Sequence, residues 1–83
     1  MQHDDIIYQI ENRMEVAKAR YGAFASTHEA LGVAVEEWDE LRAAIHANDL
    51  EAVRHECIDL ATVLVRLAIA IRNNESLRAR SVK

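Results

Sequence analysis

An all-α fold follows from three features of the sequence: sparse helix breakers, apolar residues recurring at helical spacing, and capping patterns between the recurrences. The 83 residues include two glycines and no proline, and 51% are hydrophobic although only four are aromatic. Ala, Leu, Glu and Arg, which favour helix, carry much of the composition together with Ile. The expected architecture is an antiparallel helical hairpin preceded by an N-terminal helix, in a single domain over residues 1–83. Its core spans 5–72, and 73–83 form a short C-terminal tail.

The first helix is expected over Asp5–Tyr21, where Ile6, Ile7, Ile10, Met14 and Ala17 fall on one face. Gly22 offers its C-terminal stop. Ser26-Thr27-His28-Glu29 is a capping-box pattern, so the second helix begins there and runs to about Ala47. Its main apolar stripe is Leu31, Val35, Trp38, Leu41 and Ile45. Asn48-Asp49-Leu50-Glu51 repeats the capping logic and opens a third helix reaching Arg72. That helix carries a stripe of Val53, Cys57, Leu60, Leu64, Leu67 and Ile71, and a second apolar set of Ile58, Val65 and Ile69.

A helix that is apolar on more than one side needs more than one neighbour. A chain of this size buries only about 60% of its unfolded surface. The expectation is therefore a homodimer or homotetramer built on the third helix, rather than a loosely packed monomer.

Composition also excludes several functions. A net charge of −4 without a basic stripe argues against a nucleic-acid polymer as partner. The longest apolar run, Leu60–Ile71, is too short for a bilayer and contains Arg66. The polar start, Met1-Gln2-His3-Asp4-Asp5, is unlike a signal peptide, and the lone Cys57 leaves no partner for an intrachain disulfide. The reading is a cytoplasmic protein with no membrane partner.

Six acids carry the chemical signal: Glu36, Glu37, Asp39 and Glu40 on the second helix, Glu56 and Asp59 on the third. With a turn at Asn48, Glu40 and Glu56 each stand eight residues from it, and Glu37 and Asp59 eleven. Equal rise along two antiparallel helices puts each pair at one height. Spacing of i,i+3 puts Glu37 with Glu40, and Glu56 with Asp59, on common faces. The same faces carry Ala30, Val33, Ala44 and Ala47 on one helix, and Ala52, Val63 and Ala70 on the other. Such small neighbours let the helices approach and partly dehydrate the acids.

Carboxylates brought together in this way repel, take up protons, or bind a cation. An oxygen-only donor set suits Mg²⁺, Mn²⁺ or Ca²⁺. A solvated acidic face is the competing reading. No histidine has a glutamate three residues before it, which argues against a di-iron bundle site, and the cysteine and histidines lack zinc-ligand spacing. There is no Gly-rich phosphate loop and no nucleophile–base triad.

Glu36-Glu37-Trp38-Asp39-Glu40, followed after fifteen residues by Glu56-Cys57-Ile58-Asp59, resembles the EExxE…ExxD signature of the MazG-like all-α NTP pyrophosphatases. These are relatives of the dimeric dUTPases and dCTP pyrophosphatases, and the resemblance covers roughly Ser26 to Arg72. It implies Mg²⁺-dependent hydrolysis of a (deoxy)nucleoside triphosphate to monophosphate and pyrophosphate, with Mn²⁺ as an alternative ion. It also implies an oligomer with four-helix-bundle sites. Carried over by position, Glu37, Glu40, Glu56 and Asp59 match the metal ligands. Glu36 matches the leading acid that orients or deprotonates water, so Glu36 and Glu37 are the expected catalytic pair. Asp39 stands where many members have glycine, a departure that bears on substrate choice.

The remaining residues have plainer alternatives. Arg66, seven positions beyond Asp59 on the same face, and Lys18 are candidates for substrate phosphates; the alternatives are a paired arginine and a solvated lysine. Trp38 is read as core rather than base-stacking, Cys57 as an inert core thiol, and Tyr21 and Phe24 as anchors of the first turn. A non-catalytic helical interaction module, or a nucleotide sensor on the same scaffold, is the alternative function.

Overall fold

The computed structural model describes residues 3–73. It contains three helices: α1 over His3–Tyr21, α2 over Thr27–His46 and α3 over Leu50–Arg72, in that order. No strand occurs among the described residues. The expected tail, Asn73 apart, lies outside them. No described helix is long and apolar enough to cross a membrane.

Each boundary has a local cause. Gly22 closes α1 with φ of 75°, a left-handed conformation that a Cβ would strain, and its N–H donates to the Lys18 carbonyl. Ser26 caps α2, its Oγ accepting from the Glu29 N–H at 3.1 Å. The Glu29 carboxylate reaches back to the Ala25 N–H at 2.6 Å, one residue before the partner of a standard capping box.

At the hairpin turn, Asn48 adopts φ of 57°. Its N–H donates to Ile45 O, and the Asp49 N–H to Ala44 O, which completes a Schellman closure of α2. Asp49 then caps α3, accepting from the Ala52 N–H at 3.1 Å. Asn and Asp are suited to these adjacent positions because one tolerates the left-handed region and the other satisfies orphan donors.

α3 is the central element and packs on both α1 and α2, which do not pack on each other. Small residues dominate the α2–α3 seam: Ala30, Ala44, Val63 and Ala70 are buried, together with Leu41. Phe24, from the first loop, plugs one end of the seam and forms a buried cluster with Ala30 and Val63. Thr62, the one buried polar side chain among the described residues, donates its Oγ1–H to the Ile58 carbonyl at 2.7 Å.

Most of the large apolar α2 stripe lies elsewhere, and the α3 stripe divides: Val53, Leu60 and Leu67 are partly buried, Leu67 against the Phe24 cluster, and the rest turn outward. On α2 only Leu41 of the expected stripe is buried; Leu31, Val35, Trp38 and Ile45 are about half exposed. On α3, Cys57, Leu64 and Ile71 are exposed, while Ile58 of the second set is buried. The reason is steric. Close approach of two helices selects alanine and valine for the seam and leaves bulkier side chains on the flanks. Helical-wheel geometry turns the α3 stripe away from His55, which meets α1, and the α2 stripe lies on the same side. Trp38 and Cys57 are therefore surface residues of the single chain, not core. Tyr21 is likewise exposed, and Phe24 alone anchors the turn.

Candidate metal centre

The seam has acids at its middle. Glu37 of α2 and Glu56 and Asp59 of α3 each present one carboxylate oxygen within 4.8 Å of the others. All three are partly buried between alanines and valines. Glu40 stands one turn along α2 on the exposed rim, where its charge acts on both Glu37 and Glu56. The turn at Asn48 sets this register, as equal counting along the two helices requires.

The electrostatics are unfavourable to three or four negative charges. Burial pushes the Glu37 carboxyl up to about 7 from 4.5, with the charges of Asp59, Glu40 and Glu56 adding to the effect. Glu56 is also raised, first by burial and then by Glu40 and Asp59. Oε1 of Glu37 and Oε1 of Glu56 are sealed from solvent without a hydrogen-bond partner. Orphaned buried acceptors are rare because they cost about 1–3 kcal/mol each.

These oxygens fit a hard divalent cation. In an octahedral Mg²⁺ site with bonds of about 2.1 Å, neighbouring ligand oxygens are about 3 Å apart and opposite ones about 4.2 Å. The three carboxylate oxygens, within 4.8 Å of one another, make a hard, oxygen-only donor set. Glu37, Glu56 and Asp59 would hold the ion, with Glu40 at the rim as a fourth donor.

A cavity of about 460 Å³ opens beside the acids. Glu36, Glu37, Asp59, Arg13, Phe24 and Arg66 are among its lining residues, so carboxylates and guanidinium groups share one space. Its volume falls in the usual range for small-molecule sites, about 300–1,000 Å³. Glu36 is exposed on its wall rather than within the acid cluster. Arg66 lies over the Phe24 ring, 4.2 Å from its centroid, and donates to the Gly22 carbonyl at 3.2 Å. Lys18 does not line this cavity. It lies on a second one of about 450 Å³, which shares Gly22, Ala23, Phe24 and Arg66 with the first.

Arg13 is the site residue that the sequence reading missed. It crosses from α1 to make an ion pair with Asp59 Oδ1. A signal was present: Ile6, Ile10, Met14 and Ala17 form the inward face of α1, and Arg13 falls in the middle of it. A base inside an apolar stripe implies a buried acid opposite.

A scan against protein-family models finds no match, and searches of curated proteins and of solved structures find no significant similarity.

Proposed function

We propose that this chain is a Mg²⁺-dependent nucleoside triphosphate pyrophosphohydrolase, converting a (deoxy)nucleoside triphosphate to the monophosphate and pyrophosphate in the cytoplasm. The observation that carries this reading is the acid cluster itself. Two orphaned, water-sealed carboxylate oxygens converge with a third carboxylate beside a cavity that also holds guanidinium groups. The resemblance of residues 36–40 and 56–59 to the MazG-like signature supports it from the sequence side.

Bound Mg²⁺, or Mn²⁺ in its place, supplies charge neutralisation on phosphate oxygens and a more acidic water. Glu37, Glu56 and Asp59 would hold it, with Glu40 at the rim. Glu36, on the cavity wall, accepts the proton of the attacking water, and Glu37 orients that water from the ligand side. Cleavage of the α–β anhydride joins the water oxygen to the monophosphate and releases pyrophosphate. In this reading Arg66, whose guanidinium lies over the Phe24 ring, takes an outer phosphate, with Lys18, on the second cavity, as the other candidate.

The exposed stripes of α2 and α3 take a second copy of the chain in this reading. Two antiparallel hairpins joined through these faces form a four-helix bundle, in a homodimer or homotetramer. Support comes from Leu31, Val35, Trp38, Ile45, Leu64 and Ile71, which one chain leaves about half exposed on one side.

One preparation tests both parts. The protein, sized by light scattering, is incubated with Mg²⁺ and a panel of ribo- and deoxyribonucleoside triphosphates, with pyrophosphate as readout. The expected result is an oligomer releasing pyrophosphate from at least one nucleotide only when Mg²⁺ is present. Release from none by a folded oligomer would remove the enzyme and favour a sensor or interaction module. A single-chain mass would remove the bundle.

A further inference from the structure

Arg13 stands outside the acidic signature, yet it holds one of the proposed ligands. Its side chain is 26% exposed and pairs with Asp59, which is 33% exposed. A second contact fixes the guanidinium, with Nη1 3.5 Å from the His55 carbonyl and Nη2 3.4 Å from the His55 Nδ1. The same guanidinium lines the cavity beside Glu36, Glu37 and Arg66.

Asp59 thus has two candidate cationic partners at one carboxylate. A guanidinium spreads one positive charge over a plane and leaves the Oε1 atoms of Glu37 and Glu56 unpartnered. A divalent ion offers twice the charge at a point that all three carboxylates reach. Full ligation by Asp59 weakens its hold on Arg13. The released guanidinium would then face the cavity it already lines, where an anion bound to the ion would sit. Arginine suits such an exchange because its planar fork matches carboxylate and phosphate alike.

We propose that Arg13 is a built-in counter-ion of the metal centre, competing with the divalent cation for Asp59 and, once displaced, binding the phosphate of the ligand in the adjoining cavity. This rests on the cation-binding part of the function proposed above, and it assigns α1 a positioning role in that site. The opposite role has the opposite sign. An arginine that stays on Asp59 and orients it for the metal would strengthen cation binding, and its loss would weaken affinity by about 10–100-fold.

Calorimetric titration of the full chain with Mn²⁺ alone separates these outcomes. Arg13→Gln is expected to bind Mn²⁺ about two- to fivefold more tightly than wild type, the worth of one partly exposed ion pair. Arg54→Gln, which removes a nearby charge paired with Glu51, is expected to change affinity less than about twofold, since solvent screens it. With Mn²⁺ saturating, inorganic pyrophosphate is expected to bind Arg13→Gln at least about fivefold more weakly than wild type. Arg13→Lys keeps the charge but loses the fork, and its shifts have the same signs with smaller size; they decide the matter if the glutamine variant fails to fold. Equal or weaker Mn²⁺ binding by the Arg13 variants, or unchanged pyrophosphate binding, overturns the proposal while the cation site stands. Absence of Mn²⁺ binding in wild type and variants alike overturns both.

Discussion

Glu56→Gln raises the melting temperature of the metal-free protein by several degrees and removes its stabilisation by divalent cations. Both effects come from one oxygen. Oε1 of Glu56 is sealed without a partner beside Glu37, Glu40 and Asp59, and burial with these charges raises its pKa. An amide keeps the shape, removes one charge and gives the neighbouring carboxylates a donor. Each kcal/mol of repulsion relieved is worth about 4–8 °C in a domain of this size. The cation loses a ligand, and its affinity falls at least about tenfold, as even outer partners of metal sites shift affinity by 10–100-fold.

The pH dependence follows with its sign. Glu37 ionises at about 7 in the fold against 4.5 for the free group. Between these values the folded state binds more protons than the unfolded chain, so stability falls as pH rises through the window. Metal-free protein is expected to melt higher at about pH 5.5 than at about pH 8. Added Mg²⁺ reverses the order, because ligation requires the ionised acids. Glu56→Gln flattens the metal-free slope by removing one titrating group and one of the charges that raise Glu37. A variant that melts lower than wild type and still responds to Mg²⁺ would contradict the account.

Phe24→Ala carries the largest expected stability cost. Phe24 is 6% exposed and forms the buried cluster with Ala30 and Val63. Truncating a buried phenylalanine costs about 3–5 kcal/mol. Total stability for 83 residues is about 4–12 kcal/mol at the usual 0.05–0.15 per residue. Denaturant titration is therefore expected to show the alanine variant losing about half of its stability at the middle of both ranges, and unfolded only at the low end of the second. Phe24→Leu, closer in volume, should lose about 1.5 kcal/mol or less. Exposed Tyr21, three residues earlier, should tolerate alanine within about 0.5 kcal/mol. Because Arg66 rests on the Phe24 ring, the alanine variant also loses the support that aims this guanidinium into the cavity. Equal tolerance of alanine at Phe24 and Tyr21 would mean that the loop does not anchor the seam.

Sequence and structure agree where local chemistry decides the outcome. Ser26, Asn48 and Asp49 mark helix ends because their side chains or backbone conformations satisfy orphan groups, and such preferences act over a few residues. The meeting of Glu37, Glu56 and Asp59 was legible by counting from Asn48, since helical rise is constant. Burial was less legible. Periodicity alone ranks Leu31, Val35, Trp38 and Ile45 above Ala30 and Ala44, yet the alanines are buried and the large residues lie out. Side-chain size decides which face two helices can bring together, and a hydropathy pattern does not contain that distance. Arg13 was missed for a related reason: its partner is 46 residues away, and nothing local to α1 names Asp59.

Crystals soaked in Mn²⁺ and measured at a wavelength where manganese scatters anomalously test the central claim most directly. The account predicts an anomalous peak bounded by the carboxylates of Glu37, Glu56 and Asp59, within about 2.3 Å of at least one oxygen from each. Three carboxylates turned apart into water, with no peak between α2 and α3 at saturating Mn²⁺, would contradict it.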